Sequence, residues 1–241
     1  MKGIILAGGS GTRLHPLTVA VNKHLLPVGN KPMVIRCLDK LIEAGIEEIA
    51  IVTNPEYVSN FSALLKSGKE YNCDITYKVQ DEPGGIAQAL SLCENFVGGD
   101  NCTVLLGDNM FDDSIKDDII NFNGDCKLFF KYVPDGFRYG VGVFDEENRL
   151  IEIKEKPKNI TDAYCAIGAY IYNNSVFENI KKIEPSYRGE LEISSVNNIY
   201  IKSEEYKVDY KFLESWWTDA GTIESYERAN LYAYDEYSST I

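Results

Sequence analysis

A glycine-rich segment near the start of the chain has the composition of a phosphate-binding loop. It reads Gly8-Gly9-Ser10-Gly11-Thr12-Arg13. Glycines tolerate positive φ and let the backbone approach a ligand closely, and successive N–H groups in such a loop form a concavity that binds anions. Arg13, and Lys23 ten residues later, add positive charge that could meet a chain of phosphates. The segment therefore predicts a polyphosphate-binding loop.

Two common nucleotide-binding motifs do not fit this loop. The P-loop requires a lysine directly after its second glycine, and no lysine follows Gly11 at that spacing. The dinucleotide fingerprint requires Gly-x-Gly-x-x-Gly, and Leu14 stands where the third glycine after Gly9 should be. These differences disfavour a P-loop nucleotidase and a dinucleotide-dependent dehydrogenase.

Two aspartates stand beside glycines where catalytic groups are common. Asp108 follows the apolar run 103–106, and Asp219 lies in the string Trp-Thr-Asp-Ala-Gly-Thr before a predicted helix. The carboxyl end of a parallel strand is the usual place for a functional group in an α/β fold. An ordinary turn at Asp108 and a helix cap at Asp219 remain open as simpler readings.

Polar and charged residues follow three further predicted elements. Gln80 precedes Pro83-Gly84-Gly85, so its amide could reach a base edge above the sheet. Glu155 and Lys156 follow a predicted strand, and Arg188 precedes a predicted helix. On residue type alone, solvated loops are the more common explanation of these positions.

The first half of the chain alternates between predicted strands and helices. Buried strands are predicted at 3–7, 48–53, 75–79 and 103–106, and helices at 32–44, 55–66 and 86–96. This order predicts a parallel sheet with right-handed crossovers and with its ligands at the carboxyl ends of the strands. The second half is richer in predicted strands, at 127–133, 141–144, 150–154 and 163–172, with helices at 191–202 and 223–237.

Composition narrows the class of protein. The 241 residues are 44% hydrophobic and 12% aromatic, which is typical of one ordinary globular domain. A net charge of −13 argues against a nucleic-acid or anionic membrane surface. The six cysteines are scattered and form no Cys-x-x-Cys pair, which indicates reduced thiols. With no apolar run of membrane-spanning length and no signal peptide, we expect a cytoplasmic protein.

The strings LAGGSGTRLHPLT and NKHLLPVGNKPM within residues 1–33 closely resemble the sugar-1-phosphate nucleotidylyltransferases, in particular the thymidylyltransferases of deoxysugar biosynthesis. The resemblance continues along nearly the whole chain, through the Gln80 loop, Gly-Asp-Asn, Glu-Lys-Pro, Arg-Gly-Glu-Leu-Glu and Trp-x-Asp-x-Gly-Thr. It implies an α/β fold with a Rossmann-like, mostly parallel mixed sheet flanked by helices. Residues 1–241 would form a single domain, with a nucleotide-binding lobe over about 1–125 and a sugar-binding lobe over about 126–241.

The resemblance also implies site residues. Those expected at the nucleotide are Leu6, Gly8, Gly9, Ser10, Gly11, Thr12, Arg13, Gln80, Pro83, Gly85 and Asp108. Those expected at the sugar phosphate are Leu106, Asn109, Tyr139, Gly140, Glu155, Lys156, Ala166, Arg188 and Trp217. Arg13, Lys23 and Lys156 would be catalytic, and Asp108 and Asp219 would together hold one Mg²⁺.

The reaction implied by the resemblance joins a nucleoside triphosphate, dTTP by preference, to a sugar 1-phosphate, glucose 1-phosphate by preference. CTP or UTP with another acceptor, and an inactive nucleotide-sugar sensor, are the alternatives; a glutamine amide selects a pyrimidine without naming it. The chain has Ala166-Ile167 where Val-Thr is expected, which predicts a wider and less polar acceptor pocket. We further expect a homo-oligomer, either a dimer or a tetramer.

Overall fold

The computed structural model describes residues 1–238. Its strands are β1 (Lys2–Leu6), β2 (Pro27–Val28), β3 (Lys31–Pro32), β4 (Glu48–Thr53), β5 (Asp74–Val79), β6 (Cys102–Leu106), β7 (Asn109–Phe111), β8 (Cys126–Val133), β9 (Gly140–Phe144), β10 (Leu150–Glu155), β11 (Ala163–Tyr172), β12 (Val208–Phe212) and β13 (Trp217–Asp219). Its α-helices are α1 (Met33–Glu43), α2 (Val58–Leu65), α3 (Ile86–Ser91), α4 (Glu94–Val97), α5 (Lys116–Ile120), α6 (Ser175–Ile180), α7 (Ile193–Lys202) and α8 (Ile223–Ser238).

The main sheet of the described residues is mixed. Its strand order is β10-β9-β11-β6-β1-β4-β5, and β8 pairs with both β11 and β12. Strands β6, β1, β4 and β5 are mutually parallel, whereas β11 is antiparallel to β6, β8 and β9. The predicted α/β class is confirmed: the four-stranded parallel part lies in the first half of the chain, and the second half adds one parallel pair, β8 with β12.

The first strand shows why the sheet lies in the middle of the molecule. Ile4 and Ile5 are both fully buried and, being successive strand residues, face opposite sides of the sheet. Ile4 belongs to the core that α3 and α7 cover, and Ile5 belongs to the core that α1 covers. A strand buried on both faces is therefore confirmed at the position that the apolar run predicted.

Several predicted elements differ in detail. The helix expected at 86–96 is two short helices, α3 and α4, and the helix expected at 55–66 is a 3₁₀ turn followed by α2. Periodicity could not show the first break, because Leu90, Cys93 and Val97 keep helical spacing across it and all face one core. Strands β7, β12 and β13 and helices α5 and α6 were not predicted.

In the described part of the chain, no helix is both long enough and apolar enough to cross a membrane.

Candidate active site

A cavity of about 320 Å³ opens at the carboxyl ends of the parallel strands. β1 leads into Gly8, β5 into Gln80 and β6 into Asp108, so three strands of the parallel set β6-β1-β4-β5 deliver these residues to one edge of the sheet. The lining includes most of the predicted site: Leu6, Gly8, Gly9, Arg13, Lys23, Gln80, Pro83, Gly85, Leu106, Asp108, Asn109, Tyr139, Gly140, Glu155, Lys156, Ala166, Trp217 and Asp219. Ser10, Gly11, Thr12 and Arg188 are not among the lining residues.

The backbone of the glycine-rich loop is fixed by hydrogen bonds to side chains outside the loop. Gly9 has a φ of 95° and its N–H donates to Asn54 Oδ1 at 3.1 Å. Gly11 has a φ of 62°, and its carbonyl accepts from Thr18 Oγ1 at 2.7 Å. Such positive φ values favour glycine strongly. The loop therefore has the backbone conformation that the glycines predicted, and its Gly8-Gly9 end lies in the cavity wall.

The two aspartates, distant in sequence, are brought together by a small ribbon. β13 pairs antiparallel with β7 and sets Asp219 opposite Asn109, while the Ala220 N–H donates to the Asp108 carbonyl at 2.9 Å. A Cβ added to Gly221 would lie 2.6 Å from Asp219 Oδ1, 3.5 Å from Asp108 Oδ2 and 3.1 Å from Arg13 Nη2. Both carboxylates and the Arg13 guanidinium thus surround one small space.

Two carboxylates, Asp108 and Asp219, and two basic side chains, Lys23 and Arg13, share this space. Burial opposes ionisation of Asp108, but the ion pair with Lys23 outweighs it and holds the pKa of Asp108 below its usual value. Burial and the neighbouring Asp108 charge raise the pKa of Asp219. His24 beside them is neutral, because burial lowers its pKa to about 3. A cation placed beside Asp219 would favour the ionised form of this carboxyl.

The donor set fits Mg²⁺ bound jointly by protein and substrate. Among residues 1–238 there is no cluster of three or more acidic, histidine or cysteine side chains that could enclose a metal alone. Mg²⁺ typically takes one or two carboxylates together with phosphate oxygens and water. Asp108 and Asp219 supply those two carboxylates at the cavity wall.

The opposite wall of the cavity is built by three adjacent strands. Gly140 on β9 stands opposite Glu155 on β10 and opposite Ala166 on β11. A Cβ on Gly140 would lie 3.6 Å from Glu155 Oε2, so the glycine leaves that carboxylate open to the cavity. Lys156 Nζ lies 3.6 Å from Glu155 Oε1. This wall offers a carboxylate and an ammonium group to one ligand.

Arg188 sits beside this wall in a ring of carboxylates. Its guanidinium donates to both oxygens of Glu192 at 2.8 Å and lies 3.2 Å from Glu190 and 3.7 Å from Glu155. These partners offset its positive charge.

One expectation about the acceptor pocket is wrong. Ala166 lines the cavity, but Ile167 is 1% exposed and packs in the core on the other face of the sheet. Successive residues of a strand point to opposite faces, so Ile167 cannot remove a hydroxyl from the pocket. Only Ala166 changes the cavity wall.

The structure adds lining residues that sequence reasoning missed. They include His24, Ile86, Ala89, Arg138, Ile153, Gly168, Tyr170, Glu190, Ile193, Ser194 and Asn197. Arg138 Nη1 pairs with Asp135 at 2.7 Å, and its guanidinium lies 5.2 Å from the centre of the Tyr139 ring. The sequence does contain one signal for Arg138: it stands directly before Tyr139-Gly140, two residues predicted to lie at the sugar phosphate. Most of the others project from helix or strand interiors, where no motif marks them.

Comparison with known proteins shows the family of this chain. Residues 2–236 match the model of the nucleotidyl transferase family, and the chain belongs to that family. It is 41% identical over 234 residues to a glucose-1-phosphate thymidylyltransferase of Neisseria meningitidis, covering 95% of this chain and 81% of the relative. A relative of the same name from Mycolicibacterium smegmatis is 39% identical over 228 residues, with 93% and 79% covered.

Solved structures agree with the fold as well. A crystal structure described as a glucose-1-phosphate thymidylyltransferase of Bacillus anthracis, in complex with sucrose, superposes with a TM-score of 0.91 at 46% identity, covering 98% of this chain and 96% of that one. A UDP-glucose pyrophosphorylase bound to UDP-glucose superposes with a TM-score of 0.82 at 25% identity, covering 98% of each chain.

Proposed function

We propose that this nucleotidyltransferase makes dTDP-glucose and pyrophosphate from dTTP and glucose 1-phosphate. The observation that carries the proposal is the convergence of the glycine-rich loop, the two aspartates and the Glu155-Lys156 wall on one cavity. The names of relatives that are about 40% identical over most of the chain support this substrate pair. The direct test is a pyrophosphate-release screen of all common nucleoside triphosphates against a panel of sugar 1-phosphates. Highest turnover with another pair would reject the pair proposed, and no turnover with any pair would favour the inactive sensor.

The reaction is a displacement at phosphorus. A phosphate oxygen of glucose 1-phosphate attacks the α-phosphorus of dTTP, and the bond from that phosphorus to the departing pyrophosphate breaks. The attacking phosphate is already ionised at neutral pH, so no protein nucleophile is needed. The protein contributes alignment and charge stabilisation. In this proposal Lys156 holds the attacking phosphate, while Arg13 and Lys23 stabilise charge on the triphosphate and on pyrophosphate.

We propose Asp108 and Asp219 as the protein ligands of the Mg²⁺ that such a reaction needs. When bound there, the ion neutralises charge on the reacting phosphates. The ion pair of Asp108 with the Lys23 ammonium group supports this proposal, because the carboxylate is ionised and already has a cationic partner. With Mg²⁺ held by Asp108, Lys23 would be free to contact a phosphate.

Gln80 is the residue expected to read the base. Its side chain is 8% exposed and lies beside Gly8 in the cavity wall. We expect Gln80→Ala to reduce discrimination between pyrimidine and purine triphosphates by about 1–3 kcal/mol, the cost of unsatisfied buried polar groups. The ratio of kcat/KM for dTTP and dATP measures this effect, and the KM for glucose 1-phosphate serves as the control. An unchanged ratio would exclude Gln80 from base selection.

Ala166 is expected to set the width of the acceptor pocket. Ala166→Val adds two methyl groups to the cavity wall, so kcat/KM for bulkier acceptors should fall relative to glucose 1-phosphate. The matched control is Ile167→Val on the opposite face of β11, which should cost about 0.5–1.5 kcal/mol of stability without changing acceptor choice. If the acceptor ratio moves only in the Ile167 variant, the assignment of Ala166 is wrong.

We also propose that the enzyme acts in the cytoplasm as a homo-oligomer, either a dimer or a tetramer. All six cysteines are free and buried, in keeping with a reducing compartment. Leu231 and Tyr234 on α8 are 61% and 69% exposed, and such apolar side chains commonly pack against another subunit. Light scattering of the purified protein measures the subunit number, and a monomer would reject this part of the proposal.

A further inference from the structure

The base-reading glutamine is held by a second glutamine that does not itself line the cavity. Gln80 Nε2 donates to Gln88 Oε1 at 2.7 Å and makes a longer contact of 3.5 Å with the Gly85 carbonyl. An amide nitrogen carries two hydrogens, and both of these acceptors lie on the same side of the Gln80 amide. The hydrogens of Gln80 are therefore directed at protein rather than at a ligand.

The carbonyl oxygen of Gln80 lies on the side of the amide that faces Gly8. It would lie 2.4 Å from a Cβ added to Gly8, and Gly8 lines the cavity. The group that Gln80 offers to a bound base is therefore an acceptor. Turning the amide over would set its oxygen against the Gly85 carbonyl, which cannot donate a hydrogen bond.

The loop before α3 makes room for Gln88. A Cβ on Gly84 would lie 2.9 Å from Gln88 Cγ and 3.2 Å from Gln88 Cβ and Cδ. Gln88 therefore crosses the position that a side chain at residue 84 would occupy. The absence of a side chain at Gly84 therefore leaves the space through which Gln88 reaches Gln80.

We propose that Gln88 is a positioning residue that keeps the Gln80 carbonyl turned to the base and so selects thymine or uracil over cytosine. Thymine and uracil carry a hydrogen on N3 that can donate to this oxygen. Cytosine has an unprotonated N3, which would place two acceptors against each other. The inference rests on the proposed function, and it names the base class that the same site accepts.

The test compares kcat/KM for dTTP and dCTP, each with glucose 1-phosphate. Gln88→Met keeps the length of the side chain but removes its acceptor, so the dTTP preference should fall about tenfold, on the scale of one buried hydrogen bond. Gln88→Glu keeps an acceptor oxygen and should preserve the preference within about twofold. Gly84→Ala displaces Gln88 without altering its chemistry and should lower the preference in the same direction as Gln88→Met.

A purely structural role of Gln88 predicts a different pattern. It would lower kcat/KM for both nucleotides in proportion and lower Tm alike in the Met and Glu variants. An unchanged dTTP-to-dCTP ratio in Gln88→Met, or an equal loss in Gln88→Glu, would overturn the inference. Failure of the proposed function shows in the wild-type protein: an inactive protein would turn over neither nucleotide with glucose 1-phosphate. The two nucleotides' dissociation constants, measured by calorimetry, would in that case report base selection.

Discussion

Replacing Asp219 with asparagine should lower kcat about 10²–10⁴-fold, the range that corresponds to several kcal/mol of charge stabilisation by a metal. Asparagine keeps the size of the side chain and an oxygen to accept the Gly221 N–H, which now donates to Asp219 Oδ1 at 2.8 Å. Only the negative charge is lost. The fold and base selection should therefore persist, and Tm and dTTP-to-dATP selectivity measure both.

Asp108→Asn should have an effect of similar size through the same ion. Because both residues are assigned to one metal, the double variant should lose much less than the product of the single losses. Mn²⁺ binding, followed by electron paramagnetic resonance in the presence of dTTP, gives a readout independent of turnover and should weaken in each variant. Asp74→Asn, an exposed aspartate at the start of β5, is the matched control. Full turnover in either active-site variant, or in excess chelator, would contradict the metal assignment.

Arg13→Ala should lower kcat/KM for dTTP about 10²–10³-fold, as does loss of one positioned donor in other active sites. Arg13 is exposed, so the substitution should leave Tm unchanged. Arg13 Nη2 lies near Gly221 between the two aspartates, where a departing pyrophosphate would carry its charge. The reverse reaction, from dTDP-glucose and pyrophosphate, should therefore show a raised KM for pyrophosphate.

Two further variants test the role of the Arg13 charge. Arg13→Lys keeps the charge and should recover part of the loss. Arg149→Ala removes an arginine whose ion pairs are with Asp145 and Glu147, and it should leave both directions of the reaction unchanged. A loss confined to glucose 1-phosphate, with normal use of dTTP and pyrophosphate, would place Arg13 at the acceptor instead.

The parallel half of the fold was predictable because its signals are local. Ile4 and Ile5 lie in a short apolar run that ends in glycines, and such a run is typical of a strand buried on both faces. The meeting of Asp108 with Asp219 was implied only by family resemblance. It depends on β7 and β13, which are three residues long, too short for any periodicity to show.

The acceptor wall was predicted less completely from the sequence than the nucleotide side. Side chains alternate along β11, so Ala166 and Ile167 face opposite sides of the sheet and only one of them can face the ligand. The carboxylates around Arg188 could be predicted only in part. Glu190 and Glu192 are visible nearby in the sequence, but the contribution of Glu155 depends on how two distant segments pack.

The most direct measurement is product identification from dTTP, glucose 1-phosphate and Mg²⁺ by mass spectrometry with the purified protein. The account predicts dTDP-glucose and pyrophosphate in equal amounts, with formation of both abolished by chelator. A protein that binds dTTP and glucose 1-phosphate but releases no pyrophosphate, with these or any other paired substrates, would contradict it.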